Sequence, residues 1–199
     1  MKIVESISLV AVGSFPRSKE WKDLREQVAE AISGIDWPPG SGSFTINPKE
    51  HGNGVKPIKE PCLQKLEELG WERETLPPDA KSIFKKKNEL DALYSNPPRY
   101  VGFEWETGNI SSSHRAINKL MIALHKETLV GGSLAVPSDK LYPYLTDRVG
   151  NIRELRPYFP LWKSIPVSEA ALEIVVYEHD SVSNQVLTIK KGTEGRALR

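Results

Sequence analysis

The sequence has almost no cysteine and no long hydrophobic run. Its 199 residues include 1 cysteine, which excludes an internal disulfide. Because Cys62 sits among apolar residues, we predict a buried, unreactive thiol. No stretch approaches the ~18 apolar residues of a membrane span, and residues 1–12 have no signal-peptide cleavage pattern. We therefore expect a soluble, cytoplasmic protein that is not exported.

The chain also has almost no net charge. The 27 Lys and Arg residues nearly cancel the 26 Asp and Glu residues, giving a formal net charge of +1. Such a balance neither favours nor disfavours a polyanionic partner, so any basic surface must be local, as in the run Lys85-Lys86-Lys87. Repeats and low-complexity linkers are missing too. The length predicts a single domain over residues 1–199, with a flexible tail at 191–199.

The rest of the chain is organised around residues 99–125. Apolar and polar residues alternate at the centre of this stretch, in the order Val101, Gly102, Phe103, Glu104, Trp105, Glu106. This alternation predicts a strand with one apolar face and, on the other, two carboxylates roughly 6 to 7 Å apart. Thr107-Gly108-Asn109 predicts a turn, and the serines at 111–113 are candidate caps for a helix over 112–126.

Helices and strands elsewhere follow from apolar periodicity and from the positions of glycine and proline. The predicted helices cover 19–34, with Ser18 as its cap, 57–70, 138–145 and a segment that Asn151 caps. The predicted strands cover 43–46, 71–75, 133–137 and 171–177, the last of them in the interior of a sheet.

A third carboxylate is predicted to join the pair on the central strand. The turn residues at 95–98 predict a hairpin between segment 81–93 and that strand. If the two strands pair antiparallel, Asp91 lies beside Glu104. Three carboxylates around one point repel one another unless a cation neutralises them.

The residues alone leave three interpretations of Glu104 and Glu106 open. The pair could face solvent without any function, which is the usual state of two acids at this spacing. The pair could share or flank a hydrated Mg²⁺, which the apolar face of the strand, the room beside Gly102 and the nearby Asp91 favour. The pair could also serve a glycosidase, whose chemistry needs two carboxyl groups.

The start of the following helix carries residues that suit nucleic acid. Asn109, Ser111 and Arg115 project from its first turn, where the backbone dipole favours anions such as phosphate. Asn and Arg can make bidentate contacts with adenine and guanine edges. The alternative is that Asn109 and the serines only cap the helix and that Arg115 is solvated. His114 and His125 are isolated, so we assign them no metal.

The sequence resembles the BamHI family of type II restriction endonucleases over most of its length. The resemblance is carried by the phrases FTIN at 44–47, GNGVKPIKE at 52–60, GFEWETGNISS at 102–112, HR at 114–115, NKL at 118–120, YLTDRV at 144–149 and PYF at 157–159. It implies an α/β fold in which a mixed central β-sheet is flanked by helices on both sides, with a restriction-endonuclease-like PD-(D/E)XK core.

The resemblance further implies Mg²⁺-dependent hydrolysis of phosphodiester bonds in double-stranded DNA. By position, the catalytic acids would be Glu74, Asp91, Glu104 and Glu106. The first three would bind Mg²⁺ with the backbone carbonyl of Trp105, and Glu106 would orient or deprotonate the attacking water. Most nucleases of the wider superfamily have Lys where this sequence and the BamHI branch have Glu106.

By the same resemblance, the bases of the palindrome GGATCC would be read by Asn109, Ser111, Arg115, Asp147 and Arg148. An Asp-Arg pair suits a G·C step, because Asp accepts from cytosine N4 and Arg donates to guanine O6 and N7. A non-cleaving, sequence-specific DNA-binding protein of the same fold is the alternative.

A palindromic target implies a two-fold homodimer, which in the family is built on helices that match about 112–126 and 151–163 here. The sequence departs from the family pattern at its C-terminal end. The phrase KGTEG at 191–195 resembles the family, but the terminal basic helix that follows it there is missing.

Overall fold

The computed structural model describes residues 1–84, 89–146 and 148–191, and a six-stranded sheet forms the centre of the molecule. Its strands are β1 (Lys2–Val12), β3 (Glu72–Thr75), β4 (Leu90–Asn96), β5 (Arg99–Trp105), β6 (Gly131–Pro137) and β7 (Ala170–Glu178), in the order β1-β7-β6-β5-β4-β3. A separate pair of short parallel strands consists of β2 (Thr45–Ile46) and β8 (Ser181–Val182).

The large sheet is mixed. β5, β6 and β7 run parallel to one another, whereas β3, β4 and β5 are antiparallel neighbours and β1 pairs antiparallel with β7. The helices are α1 (Lys19–Ser33), α2 (Lys56–Glu68), α3 (Ile110–His125), α4 (Ile152–Leu155) and α5 (Phe159–Lys163). No helix in the described part of the chain is both long and apolar enough to cross a membrane.

Helices cover both faces of the sheet. On one face, α1 and α2 pack with the β5 side chains Val101, Phe103 and Trp105 in one apolar cluster. On the other face, α3, α4 and α5 pack in a second cluster with side chains such as Leu134 of β6 and Ile174 of β7. The implied mixed sheet between two helical layers is confirmed, and because both faces are covered, β7 is buried along its whole length.

Helix starts agree with the sequence in two places and differ in one. Ser18 caps α1 by accepting a hydrogen bond from the Trp21 N–H at 3.0 Å, and Asn151 caps α4 in the same way, as predicted. The predicted serine caps of α3 are wrong. Asn109 is the cap, because its Oδ1 accepts from the Ser112 N–H at 3.2 Å and the helix already begins at Ile110.

Proline shortens two predicted helices. The segment 138–145 contains only a 3₁₀ turn, Tyr142–Tyr144, and the segment 151–163 is divided into α4, a 3₁₀ turn at Arg156–Tyr158 and α5. Pro143, Pro157 and Pro160 lie in these turns and helix starts, where the missing N–H removes no helical hydrogen bond. β1 lies outside the predicted strands and forms one edge of the sheet, where only Leu9 and Val10 of its residues are buried.

Candidate active site

The β4–β5 hairpin brings three of the four predicted acids together. The two strands pair antiparallel from Ala92 opposite Phe103 to Asn96 opposite Arg99, which confirms the predicted hairpin. One residue before this ladder, the Asp91 carboxylate takes the place of a strand partner, since its Oδ2 accepts from the Trp105 N–H at 2.8 Å. Asp91 therefore lies beside Glu104, and both face the same cleft.

This cleft, of about 800 Å³, is lined by residues from α2, β4, the end of β5 and the first turns of α3. Its charged lining residues are Lys59, Asp91, Glu104, Glu106, Arg115 and Lys119. Ser111 also lines it. The cleft thus joins three of the four predicted acids to two of the predicted DNA-reading side chains.

Glu104 is buried, with 7% of its surface exposed. Burial raises the pKa of its carboxyl to about 8; the positive charge of Lys119 opposes this rise, and the negative charge of Asp91 adds to it. Gly102 permits this burial, because a Cβ there would lie 3.0 Å from Leu90 and 3.1 Å from Leu120. The missing side chain lets α3 approach the sheet closely enough to cover Glu104.

Glu106 is also buried, with 3% exposed, just after the end of β5. Burial raises the pKa of its carboxyl to about 7, against a hydrogen bond that the Gly108 N–H donates to Oε1. Its own N–H donates to the Ala135 carbonyl of β6 at 3.0 Å, so both the backbone and the carboxylate are held. A fixed carboxyl that titrates near neutral pH is suited to accept a proton.

Two lysines that the sequence analysis did not single out neutralise the acids. Lys59 of α2 places Nζ 2.7 Å from Asp91 Oδ1, and Lys119 of α3 forms an ion pair with Glu104. Lys119 also donates to the Glu89 carbonyl at 2.7 Å. Both lie within phrases that carry the family resemblance. These lysines could have been sought on physical grounds, because buried carboxylates require a nearby cation.

The donor set of the cleft fits a hard divalent cation. Carboxylate oxygens are the ligands that such ions prefer, and Asp91 and Glu104 are close enough to raise each other's energy and to need positive charge. Across the described ranges, however, no group of three or more His, Cys, Asp or Glu side chains is arranged as a metal cage. Ammonium groups hold the acids instead.

Glu74 is the predicted acid that the structure does not bring to the cleft. It lies between Arg73 and Thr75, which pair with β4, and its φ of 46° turns the backbone into the left-handed region. Its side chain is exposed, and it is not among the described residues that line the cleft. Its role as a metal ligand stays a prediction from the resemblance alone.

The predicted base-reading residues of α3 are exposed around its first turn. Asn109 and Ser111 are both exposed, and so is Arg115, which donates to the Ser112 hydroxyl at 3.1 Å. Asn109 both caps the helix and stays accessible, so the capping interpretation and the DNA-reading interpretation are compatible for this residue.

The loop that carries Arg148 lies beside this helix start. Asn109 forms an isolated antiparallel bridge with Val149, and the Gly150 N–H donates to the Gly108 carbonyl at 3.0 Å. Arg148 is exposed, with a φ of 67°. Asp147 lies outside the described residues, as does the predicted basic patch at 85–87.

A buried asparagine holds this loop in place. Asn53 is fully buried; its Nδ2 donates to the carbonyls of Asn47 at 2.9 Å and Tyr144 at 2.8 Å, and its Oδ1 accepts from the Ile189 N–H at 3.0 Å. Its own carbonyl accepts from the Thr146 N–H at 2.7 Å. The GNG phrase at 52–54 therefore supports the segment that leads to Arg148.

The chain is similar over most of its length to a known family of proteins. A family model described as "Restriction endonuclease BamHI" matches residues 1–196. The chain belongs to this family. It is 45% identical over 199 residues to the type II restriction enzyme OkrAI of Oceanobacter kriegii, with 100% of both chains covered. It is 37% identical over 180 residues to the type II restriction enzyme BamHI of Bacillus amyloliquefaciens, which covers 87% of this chain and 82% of that enzyme.

Membership of the BamHI family makes this protein a site-specific endonuclease. A solved structure of the restriction endonuclease BglII in complex with a DNA 16-mer has the same fold, with a TM-score of 0.60 and 12% sequence identity. The superposition covers 90% of this chain and 79% of BglII. At this identity the likeness concerns the fold, which is the restriction-endonuclease-like architecture that the sequence resemblance implied.

Proposed function

We propose that this BamHI-family endonuclease hydrolyses phosphodiester bonds of double-stranded DNA at GGATCC, with Mg²⁺ as its cofactor. One observation carries the proposal: buried acids and exposed polar side chains share one cleft at the junction of β5 and α3. Asp91, Glu104 and Glu106 supply the acids, and Ser111 and Arg115 supply groups that can contact DNA. A glycosidase would leave Arg115 and the Arg148 loop without a role.

Asp91 and Glu104 would hold Mg²⁺ in this proposal, with the carbonyl of Trp105 and, from the resemblance, Glu74 as further ligands. When bound, the ion lowers the pKa of the attacking water and neutralises charge on the phosphorane and the leaving 3′ oxygen. The Asp91 carboxylate is already oriented by the Trp105 N–H, which leaves Oδ1 directed at the cation that pairs with it, Lys59.

Glu106 would take the proton of the attacking water. Its pKa of about 7 leaves a large share of the carboxyl deprotonated at neutral pH, which suits a general base. The Gly108 N–H fixes one carboxylate oxygen.

The bases would be read from the exposed face beside the cleft. Asn109, Ser111 and Arg115 offer donors and acceptors from the start of α3, and Arg148 offers a guanidinium from the neighbouring loop. A guanidinium can bind guanine O6 and N7 bidentately. Asp147, next to Arg148 in the sequence, would accept from the cytosine of the same pair.

A homodimer would match the two-fold symmetry of GGATCC. Support comes from apolar side chains exposed on the elements that the family resemblance assigns to the interface: Ile122 on α3 is 42% exposed, Tyr158 is 45% exposed and Leu161 on α5 is 61% exposed. Such side chains on neighbouring elements are typical of a surface that a partner covers. A restriction endonuclease of this kind would work in the bacterial cytoplasm.

A plasmid with one GGATCC sequence tests the proposal. Incubation with the protein and Mg²⁺ should convert the plasmid to linear DNA, and end sequencing of the product should locate both cuts inside that sequence. A plasmid in which one base pair of the site is changed is the matched control and should stay circular. Intact GGATCC plasmid at high protein excess contradicts the proposal; intact plasmid with a site-specific gel shift in Ca²⁺ would instead support a non-cleaving DNA-binding protein.

A further inference from the structure

Two of the three acids of the cleft, Asp91 and Glu104, each carry a lysine of their own. The side chains of Lys59 and Asp91 are 20% and 19% exposed, and those of Lys119 and Glu104 are 11% and 9% exposed. A surface pair such as Lys19 and Asp23, at 85% and 44%, is far more open to water. The cleft pairs are therefore screened weakly, and their electrostatic interaction is correspondingly strong.

The two lysines reach the acids from opposite sides of the sheet. Lys59 belongs to α2, which packs with the Val101 face of β5, and Lys119 belongs to α3, which covers the other face. The backbone carbonyl of Glu89, the residue before β4, is a second hydrogen-bond acceptor for Lys119. Independent elements thus supply one positive charge to each acid, which is the number of charges that one divalent cation would supply to both.

We propose that Lys59 and Lys119 take the place of the divalent cation in the DNA-free enzyme and compete with it for Asp91 and Glu104. The metal ion and the ammonium groups need the same carboxylate oxygens, so the ion binds only as the lysines leave. This inference rests on the proposed function, because it takes Asp91 and Glu104 as the metal ligands.

DNA supplies the partner that would release the lysines. Both lysines line an open cleft. A change of rotamer can move a lysine ammonium group while its helix stays in place. A phosphate in the cleft offers each ammonium a new anion, which leaves the carboxylates to the metal ion. Metal affinity should therefore be low without DNA and rise when DNA is bound.

Mn²⁺ titration of the DNA-free protein by calorimetry tests the competition. Lys59→Met and Lys119→Met remove the ammonium and keep most of the side-chain volume, so each should bind Mn²⁺ about tenfold more tightly than the wild type, because one competing charge is gone. Lys119→Arg keeps the charge and should stay close to the wild type. Lys19→Met, on the exposed surface of α1, is the matched control and should leave the affinity unchanged.

Unchanged or weaker Mn²⁺ binding in both Met variants overturns the proposal. Loss of metal binding would mean that the lysines support the site rather than compete for it. If Lys119→Met does not fold, as judged by circular dichroism, Lys59→Met decides the question alone, since its pair is the more exposed of the two.

A second titration, in the presence of a short GGATCC duplex, measures the effect of DNA. The wild type should gain Mn²⁺ affinity on binding the duplex, and the double variant Lys59→Met/Lys119→Met should gain less; an equal gain contradicts the release step. Plasmid cleavage separates the two proposals. If the wild type cleaves the GGATCC plasmid but the Met variants bind Mn²⁺ no more tightly than it does, only the lysine competition is refuted. If the Met variants bind Mn²⁺ more tightly but the wild type does not cleave the plasmid, only the proposed endonuclease specificity is refuted.

Discussion

The acid cleft and the proposed base-reading surface lie side by side but are built in opposite ways. Glu104 and Glu106 are buried on and just after a strand that is packed on both faces, whereas Asn109, Ser111 and Arg115 are exposed at the start of a helix. Burial fixes the acids and raises their pKa values, and the value of about 7 at Glu106 suits the general base proposed for it. Exposure keeps donors and acceptors available to base edges. A few residues of chain thus separate a rigid, weakly solvated site from an open one.

One residue, Gly108, connects the two regions. The Gly108 N–H donates to the Glu106 carboxylate, and the Gly108 carbonyl accepts from Gly150, on the loop that carries Arg148. A Cβ on Gly108 would lie 2.6 Å from Ser112 Oγ, so the turn has no room for a side chain. A shift of the loop that carries Arg148 can therefore move the Glu106 carboxylate in the cleft.

The largest expected effect comes from the buried side of this comparison. Glu104→Ala should reduce the cleavage rate by about 10³-fold or more, because it removes a proposed metal ligand, and should leave specific binding in Ca²⁺ nearly intact. Single-turnover cleavage and gel shifts measure the two effects, and Glu26→Ala on the exposed face of α1 is the control. An equal loss of cutting and binding would show that Glu104 has a structural role instead.

Lengthening the connection should affect the two regions unequally. Insertion of one residue between Thr107 and Gly108 moves Glu106 relative to the reading surface, so we expect about a 10²-fold loss of cleavage with a much smaller loss of binding. The same insertion in the exposed turn at Gly40, far from the hairpin, serves as the control. Equal losses in both measurements would argue against coupling through Gly108.

On the exposed side, Arg148→Ala should weaken discrimination without abolishing chemistry. Loss of one bidentate base contact costs about 1 to 3 kcal/mol of preference for the correct base pair. Binding to GGATCC and to sites with a single substitution in each base pair measures this cost. Discrimination that stays unchanged at every position would remove Arg148 from the set of reading residues.

The smallest expected effect is the dependence on pH. As the proposed general base, Glu106 would act in its deprotonated form, and its pKa is about 7, so the cleavage rate should rise about tenfold per pH unit below that value and level off above it. Single-turnover rates across this range provide the measurement. Glu106→Gln should be slow at every pH; a variant that keeps the same rise would assign the titration to another group.

The hairpin could be predicted because its signals are local. Alternation along 101–106 and a turn at 95–98 suffice to place Asp91 beside Glu104. Lys59 and Lys119 could not be predicted in that way, since only the packing of α2 and α3 on opposite faces brings them to the acids. The periodicity of the sequence does not encode the distance between these lysines and the acids.

Other differences have equally specific causes. Four of the five residues from Asn109 to Ser113, all except Ile110, can cap a helix, and only the position of the first helical hydrogen bond selects Asn109. The left-handed backbone of Glu74 cannot be recognised in a strand-like sequence. The resemblance places a metal ligand at this position, but in the structure the Glu74 side chain is exposed.

The conformation of the loop that carries Arg148 depends on the side chain of Asn53. One amide joins three remote parts of the backbone, at Asn47, Tyr144 and Ile189, and none of them precedes or follows another closely in the chain. Among relatives that diverge in target sequence, the residues that touch DNA need not be the first to change. A substitution at this interior amide would loosen the frame of the loop, and sequence preference could then shift while every contacting side chain stays the same.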